Sequence, residues 1–361
     1  MRKQLLIFDE ITYTLSDIQR GNFSQTNNSA TSALAFCKNW LTEKDTFILQ
    51  TSGTTGSPKK ISVTRNQLRA SAKLTIDYLG LQKEHNALIC LDTNYVAGIM
   101  MLVRSLETGM NMYVTDPAAN PFEKISSDIK IDFTALVPYQ VQTILKSRKK
   151  DRFNNGIFLI GGAPLSKKTI DELQSCSGIF YATYGMTETL SHIALQRLNG
   201  ENPENYFKIL SGISIQVDDR GCLIIIAPHI NSTSIVTNDL VELIDHDKFI
   251  WLGRADNIIN SGGVKIIPEK IEAVVELIFN ELKFENRFFI AGLPHSELGQ
   301  SVSLIIEGNL PEIQEKNIIE LMKEKLSRYE VPKSIWYLPA FVKTETGKIN
   351  KVKTLETIQK N

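Results

Sequence analysis

The sequence predicts an α/β fold with largely parallel sheets, followed by a smaller α+β domain. Three observations carry this. Short apolar runs alternate with helix-period segments between residues 46 and 190, the pattern of strand–loop–helix units. The loops richest in glycine and hydroxyl residues follow apolar runs directly, at the carboxyl ends of predicted strands, where such folds bind ligands. From about Ile209 the pattern changes to short strands separated by turn residues.

In chain order, residues 1–45 read as an introductory segment, with helix-spaced Leu34, Phe36, Trp40 and Leu41 over 29–41. Thr46-Phe47-Ile48-Leu49 reads as a buried strand and 61–63 as another. Thr64 is placed to cap a helix through about Leu79, with Leu68, Ala72, Thr75, Ile76 and Leu79 on one face. Strands over 87–91 and 111–114 flank a Met- and Leu-rich helix over 96–106. Residues 133–137 are a strand ending at Pro138; the helix after it ends near the basic run 146–150, which suits a helix C-terminus. Residues 156–160 are a strand running into Gly161-Gly162-Ala163-Pro164-Leu165-Ser166, and Ser166 caps a helix from Lys167 to about Leu173. A strand over 179–183 ends at Tyr184-Gly185-Met186-Thr187-Glu188. Strands over 214–218, 221–227, 240–244 and 248–252 suggest a small antiparallel sheet or barrel. Helices over 268–280 and 312–326, with strands over 288–292, 302–307 and 334–338, make a compact α+β unit ending in a polar, lysine-rich tail. The domains expected are 1–255 and 256–361.

Composition excludes several function classes. Forty basic side chains balance forty acidic ones, which argues against broad nucleic-acid or anionic-membrane binding. No apolar run approaches membrane-spanning length. The apolar part of Met1-Arg2-Lys3-Gln4-Leu5-Leu6-Ile7-Phe8 is too short for a signal core, so a cytoplasmic enzyme with no stable membrane insertion is expected. Cys37, Cys90, Cys176 and Cys222 follow no metal spacing, and three of them, next to apolar runs, read as small core residues.

The stretch Thr51-Ser52-Gly53-Thr54-Thr55-Gly56-Ser57-Pro58-Lys59-Lys60 combines five hydroxyls, two glycines and two lysines. Glycine lets backbone N–H groups approach an anion, hydroxyls add donors, and lysine adds a mobile charge. A loop that wraps a polyphosphate follows. It is not a Walker loop, because only two residues separate Gly53 from Gly56 and Lys59 follows Pro58.

This stretch resembles the signature of the adenylate-forming enzymes: acyl- and aryl-CoA ligases, firefly luciferase and the adenylation domains of peptide synthetases. Further stretches match that family in order. Gly161-Gly162-Ala163-Pro164-Leu165 resembles the loop bordering adenine, with Gly162 and Ala163 beside the base. Tyr184-Gly185-Met186-Thr187-Glu188 resembles the Tyr-Gly-x-Thr-Glu element. By resemblance Tyr184 stacks on adenine beside Gly185, Thr187 contacts phosphate and Glu188 binds Mg²⁺, a hard cation suited to a carboxylate. Asp239 in Thr237-Asn238-Asp239 matches the ribose-binding aspartate of Thr-Gly-Asp; Asn replaces Gly, as its tolerance of left-handed backbone allows. Residues 253–266 resemble the hinge motif, with Arg254 to ribose, Asp256 as the pivot, and Gly262 and Gly263 lining the pantetheine tunnel. Gly347-Lys348 resembles the C-terminal Gly-Lys whose lysine is catalytic.

The resemblance implies ATP, Mg²⁺ and coenzyme A acting on a small-molecule carboxylate, with a mobile α+β C-terminal domain. Fifty residues precede the glycine-rich loop, fewer than the family has, which implies a shortened first subdomain in the large N-terminal α/β domain. Thr189-Leu190-Ser191-His192-Ile193-Ala194 and the small size resemble the branch that ligates o-succinylbenzoate to CoA in menaquinone synthesis. Tyr95-Val96-Ala97-Gly98 fits a compact aromatic pocket, although that branch commonly has His at the position of Tyr95. Arg104, Ser191 and His192 are candidates for a second carboxylate. Another aryl- or acyl-CoA ligase, a carrier-loading adenylation enzyme and a non-catalytic adenylate-binding protein stay open as alternatives. Oligomeric state is not read from these residues.

Overall fold

The computed structural model describes residues 4–8, 10–23, 28–50, 60–343 and 349–358. The chain divides into two compact units. The first runs to Gln216 and adds Ile224–Ile235 and Ile244–Phe249; the second takes Val217–Leu223, Val236–Leu243 and the chain from Ile250.

The first unit contains β1 (Leu5–Phe8), β2 (Ile11–Thr14), α1 (Leu15–Arg20), α2 (Asn28–Leu41), β3 (Thr46–Gln50), β4 (Lys60–Thr64), α3 (Arg65–Leu79), β5 (Asn86–Ile89), α4 (Val96–Thr108), β6 (Asn111–Val114), β7 (Phe133–Leu136), α5 (Pro138–Leu145), β8 (Ile157–Ile160), α6 (Lys167–Leu173), β9 (Ile179–Gly185), β10 (His192–Arg197) and β11 (Phe207–Ile209). Strands β6, β5, β7, β8 and β9 pair in parallel in that order, with β1 parallel to β6. Their side chains are apolar on both faces, as covered parallel strands require. Leu88, Leu136, Phe158, Ile160 and Phe180 enter one cluster with Phe153, Val141 and Ile144. Phe158 and Phe180 stack at 4.7 Å between centroids. All four cysteines are buried and free, one more than the three that the sequence reads as core residues.

The antiparallel strands extend this sheet. β10 pairs with β9 and β11 with β10. The chain then forms β12 (Ser214–Val217), β13 (Cys222–Ile226), β14 (Ile235–Asp245) and β15 (Lys248–Arg254). Phe207 of β11 is in register with Phe249 of β15, so the short antiparallel strands expected here continue the large sheet beyond β11. Strands β1 and β2 form a hairpin that, with helix α1, the sequence reading leaves unassigned. Thr14 caps α1 in a capping box with Asp17.

Helix α3 begins where the sequence places it. The Thr64 hydroxyl accepts from the Gln67 N–H at 3.2 Å and the Gln67 side-chain Oε1 accepts from the Thr64 N–H at 2.8 Å. The box fixes the phase of the helix, so Leu68, Ser71, Ala72 and Thr75 face inward. Strands β3 and β4 pair with each other on either side of 51–59, which lie outside the described residues.

The second unit continues with β16 (Ile259–Ser261), β17 (Val264–Ile266), α7 (Pro268–Glu281), β18 (Phe288–His295), β19 (Gly299–Glu307), α8 (Glu312–Lys325), β20 (Ser334–Leu338) and α9 (Lys351–Ile358). Its sheet runs β17-β16-β19-β18, with β20 parallel to β19. The tail expected as polar chain is the helix α9, because Leu355 and Ile358 pack on the cluster of Phe289, Ile305 and Phe341. Lys343 bridges Ile349, the Phe341 N–H donates to Glu307 at 2.7 Å, and Lys351 donates to Glu272 at 2.7 Å. Among the described residues no helix is long and apolar enough to cross a membrane.

Candidate active site

The carboxyl ends of β7, β8 and β9 and the start of α4 enclose a cavity of about 260 Å³. Val137 follows β7, Gly161 and Gly162 follow β8, and Thr183, Gly185, Met186 and Thr187 come from the end of β9 and its turn. Tyr95, Val96 and Ala97 line it from α4, together with Arg104, Ser191 and His192. Glycine is required at two of these places. A Cβ on Gly161 would sit 2.4 Å from the Thr183 hydroxyl, and one on Gly185 would sit 2.3 Å from the Ser191 carbonyl oxygen. The backbones of β9 and β10 therefore close on each other only without a side chain at 185.

The turn Thr187–Thr189 aims the next residues at the cavity. Leu190 adopts the left-handed conformation at φ 59° and donates its N–H to the Thr187 carbonyl at 2.9 Å. The Thr189 hydroxyl donates to the Ser191 carbonyl at 2.6 Å. A leucine in that region is costly and is held by its surroundings; Leu190 is 3% exposed.

Three side chains, Arg104, Ser191 and His192, form the floor, and Thr75 lies against the last of them. Arg104 is 2% exposed. Its Nη2 donates to the Ser191 Oγ at 2.6 Å, and its Nε has no hydrogen-bond partner. Among the described residues no carboxylate pairs with it. Burial pushes its guanidinium down to about 9, so at neutral pH the charge is still there. His192 is buried, with Nε2 2.9 Å from the Thr75 Oγ1 and Nδ1 3.4 Å from the Ser191 Oγ. Burial, and then the charge on Arg104, hold His192 well below the usual imidazole range, so it is neutral.

The other residues expected in this unit are placed as follows. Gln50 lines the cavity and bridges Tyr95; Thr51, Ser52, Gly53, Thr54, Thr55, Gly56 and Lys59 lie outside the described residues. Tyr184 packs its ring against Phe249 at 5.0 Å and Phe207 at 5.7 Å. Ala163 is exposed just beyond Gly162. Glu188 is exposed and, among the described residues, its carboxylate makes no hydrogen bond or ion pair. An exposed carboxylate without a protein partner, one residue after cavity-lining Thr187, fits a hard divalent cation, which takes carboxylate, phosphate and water oxygens together.

Gly98 lies on α4 outside the cavity lining. A Cβ there would meet the Asp92 carbonyl oxygen at 2.4 Å and the Leu91 carbonyl oxygen at 2.7 Å. Gly98→Ala is expected to destabilise the protein by about 1–3 kcal/mol, the usual cost of overpacking, seen as a lower melting temperature.

In the second unit, Asp239 is 7% exposed and accepts from the Trp251 indole N–H at 3.2 Å and from the Arg254 Nη1 at 3.4 Å. Arg254 also donates to Asp256 at 2.8 Å and holds its carboxyl below the usual range. Asn238 stays out of the left-handed region. Its amide donates to both Asp256 oxygens, at 3.0 and 3.2 Å, while its carbonyl accepts from Arg220 at 3.0 Å. The side chain, rather than backbone freedom, therefore accounts for asparagine here. Gly262 and Gly263, at φ 57° and 82°, form the two-residue turn between β16 and β17, the left-handed pair that a tight hairpin favours. Lys348 lies outside the described residues. Sequence reasoning missed Gln50, Val137 and Met186 on the cavity wall, the roles of Thr75 and Asn238, and Trp251. A threonine within the apolar face of α3 is the one signal among these.

The model of the AMP-binding enzyme family matches residues 9–222. This chain belongs to that family. Among AMP-binding enzymes, the 2-succinylbenzoate–CoA ligase of Lactococcus lactis is 26% identical over 95% of this chain and 77% of its own length. The chain thus spans about three quarters of that relative. The solved acyl-CoA synthetase (AMP-forming)/AMP-acid ligase II-like protein of Dyadobacter fermentans is 40% identical, with a TM-score of 0.64 over 94% of this chain and 97% of its own. The solved o-succinylbenzoate coenzyme A synthetase of Bacillus subtilis, in complex with ATP and magnesium, shares the fold at a TM-score of 0.70 and 19% identity, over 85% of this chain and 69% of its own. The chain is an adenylate-forming ligase. ATP, Mg²⁺ and CoA are typical of the family.

Proposed function

We propose that the chain joins an aromatic acid carrying a second carboxylate, best matched by o-succinylbenzoate, to coenzyme A through an acyl-adenylate. Arg104, buried at the floor of the cavity and paired with no carboxylate among the described residues, carries this reading. A charge buried without a partner is expensive, and a carboxylate arriving from the ligand offsets that cost. The cavity's size supports a single-ring acid over a long acyl chain, since about 260 Å³ lies just below the usual ~300–1,000 Å³. The names of the curated relatives agree.

In the first step a carboxylate oxygen of the acid attacks the α-phosphorus of ATP, the α–β P–O bond breaks, and pyrophosphate leaves. In the second, the CoA thiolate attacks the acyl carbon and AMP leaves with the C–O electrons. Arg104, Ser191 and His192 hold the remote carboxylate, which orients the reacting one. Tyr184 with Gly162, Ala163 and Gly185 takes the adenine, and Asp239 and Arg254 take the ribose. The 51–59 loop takes the leaving phosphates, and Thr187 and Lys348 meet the charge that builds on the transferring phosphate. Glu188 would hold Mg²⁺, which when bound neutralises phosphate charge. Asp256 serves as the pivot between the two steps and Gly262-Gly263 as part of the pantetheine path.

The test is pyrophosphate release across a panel of acids, with and without CoA. Sustained release with o-succinylbenzoate and CoA is the expected result. Turnover only with a carrier protein points to a carrier-loading enzyme. No release with any acid overturns the reading in favour of an adenylate-binding protein.

A further inference from the structure

We propose that Thr75 is a positioning residue: its hydroxyl fixes the tautomer of His192 and so turns the Ser191 hydroxyl proton into the cavity, toward the acid's second carboxylate. The inference rests on the reading of that acid given above, and it starts from a hydroxyl that bonds away from its own helix. Three other helical hydroxyls of the first unit donate to the carbonyl four residues back: Ser105 to Met101 at 2.8 Å, Thr108 to Arg104 at 2.8 Å and Thr143 to Tyr139 at 2.9 Å. Thr75 is fully buried, and among the described residues its hydroxyl makes one hydrogen bond, to the His192 Nε2 at 2.9 Å.

A hydroxyl proton with a single partner in reach goes to that partner, because a buried donor left unmade is costly. Nε2 is then the acceptor, and a neutral imidazole carries its proton on Nδ1. Nδ1 faces the Ser191 Oγ at 3.4 Å, and the same oxygen already receives the Arg104 Nη2–H at 2.6 Å. Both lone pairs of Ser191 are thereby addressed by donors. Its own proton has neither neighbour to bond, and Ser191 lines the cavity. The chain Thr75, His192, Ser191 ends in a donor beside the charge of Arg104. In the opposite tautomer Nδ1 takes the Ser191 proton, the cavity loses that donor, and the Thr75 proton is stranded.

The experiment reads the tautomer directly. In protein labelled with ¹⁵N-histidine, the His192 resonances, assigned by comparison with His192→Gln, are expected to show a protonated Nδ1 and an unprotonated Nε2 without any ligand. Thr75→Val, which keeps the shape and removes the hydroxyl, is expected to lose that fixed pattern. It should also raise KM for the dicarboxylic acid about tenfold, the scale of one hydrogen bond to a charged group, with kcat and KM for ATP unchanged. Thr75→Ser should restore both signals, and a thermal melt of each variant verifies folding. A protonated Nε2 in the parent protein, or an unchanged KM in a folded Thr75→Val, overturns the proposal. If no dicarboxylic acid is turned over at all, the functional reading fails, while the ligand-free spectrum still decides the tautomer.

Discussion

Arg104→Met is expected to lower kcat/KM for o-succinylbenzoate by about 10²–10³-fold, while an aromatic acid with a single carboxylate loses little. The magnitude is that of removing one member of a buried, hydrogen-bonded charge pair, about 2–5 kcal/mol. The same substitution is expected to raise the melting temperature of the ligand-free protein. Arg104 is buried with its Nε unpartnered, and replacing uncompensated buried charge by an apolar chain of similar volume is neutral or stabilising. Stability and activity then move in opposite directions, which a general packing defect would not produce. The pH dependence has a definite sign. Burial in the folded protein holds Arg104 at about 9, well below the ordinary guanidinium range. Below about pH 9 the group is charged in both folded and unfolded chains, and the fold carries the full cost. Above it the unfolded chain binds more protons, so this contribution to stability rises with pH. Affinity for the dicarboxylic acid falls over the same range as the charge is lost, and affinity for a monocarboxylic acid does not. An unchanged selectivity between the two acids in Arg104→Met would count against the role.

Lys348→Ala is expected to remove most acyl-adenylate formation, by about 10²–10³-fold, the usual effect of deleting one donor to developing charge. Thioester formation from a supplied acyl-adenylate is expected to continue. Pyrophosphate release and CoA consumption, measured separately, test the split. Equal loss in both half-reactions would sink the assignment of this lysine to the first step alone.

Much of the fold is legible in local sequence because local chemistry decides it. Thr64 with Gln67, and Ser166 before its helix, mark starts that depend only on residues three apart. Apolar runs such as 157–160 can only be covered strands. What escapes is set by distant partners. The first hairpin exists because β1 finds the edge of β6, more than a hundred residues on. Helix α9 reads as tail until Phe289 and Phe341 give its apolar side a surface. The site divides the same way. Its motifs carry their own spacing, so Thr187, Glu188, Asp239 and Arg254 are each marked as candidates by the residues beside them. The Thr75–His192 contact spans 117 residues, and nothing near either residue announces the other. Asn238 shows the opposite limit: a plausible local reason, tolerance of left-handed backbone, gives way to a side-chain role toward Asp256.

The floor of the cavity bears on the end of the reaction as well as its start. The carboxylate that Arg104 grips in the proposed reaction is not the one that is adenylated, so it is unchanged in the acid, the adenylate and the thioester. The protein then holds one end of the molecule as a stationary handle while the other end exchanges partners twice. Chemistry does nothing to loosen that handle. Departure of the finished thioester has to break the same contact that admitted the acid, and the residue that gives selectivity also sets a lower bound on how long product stays.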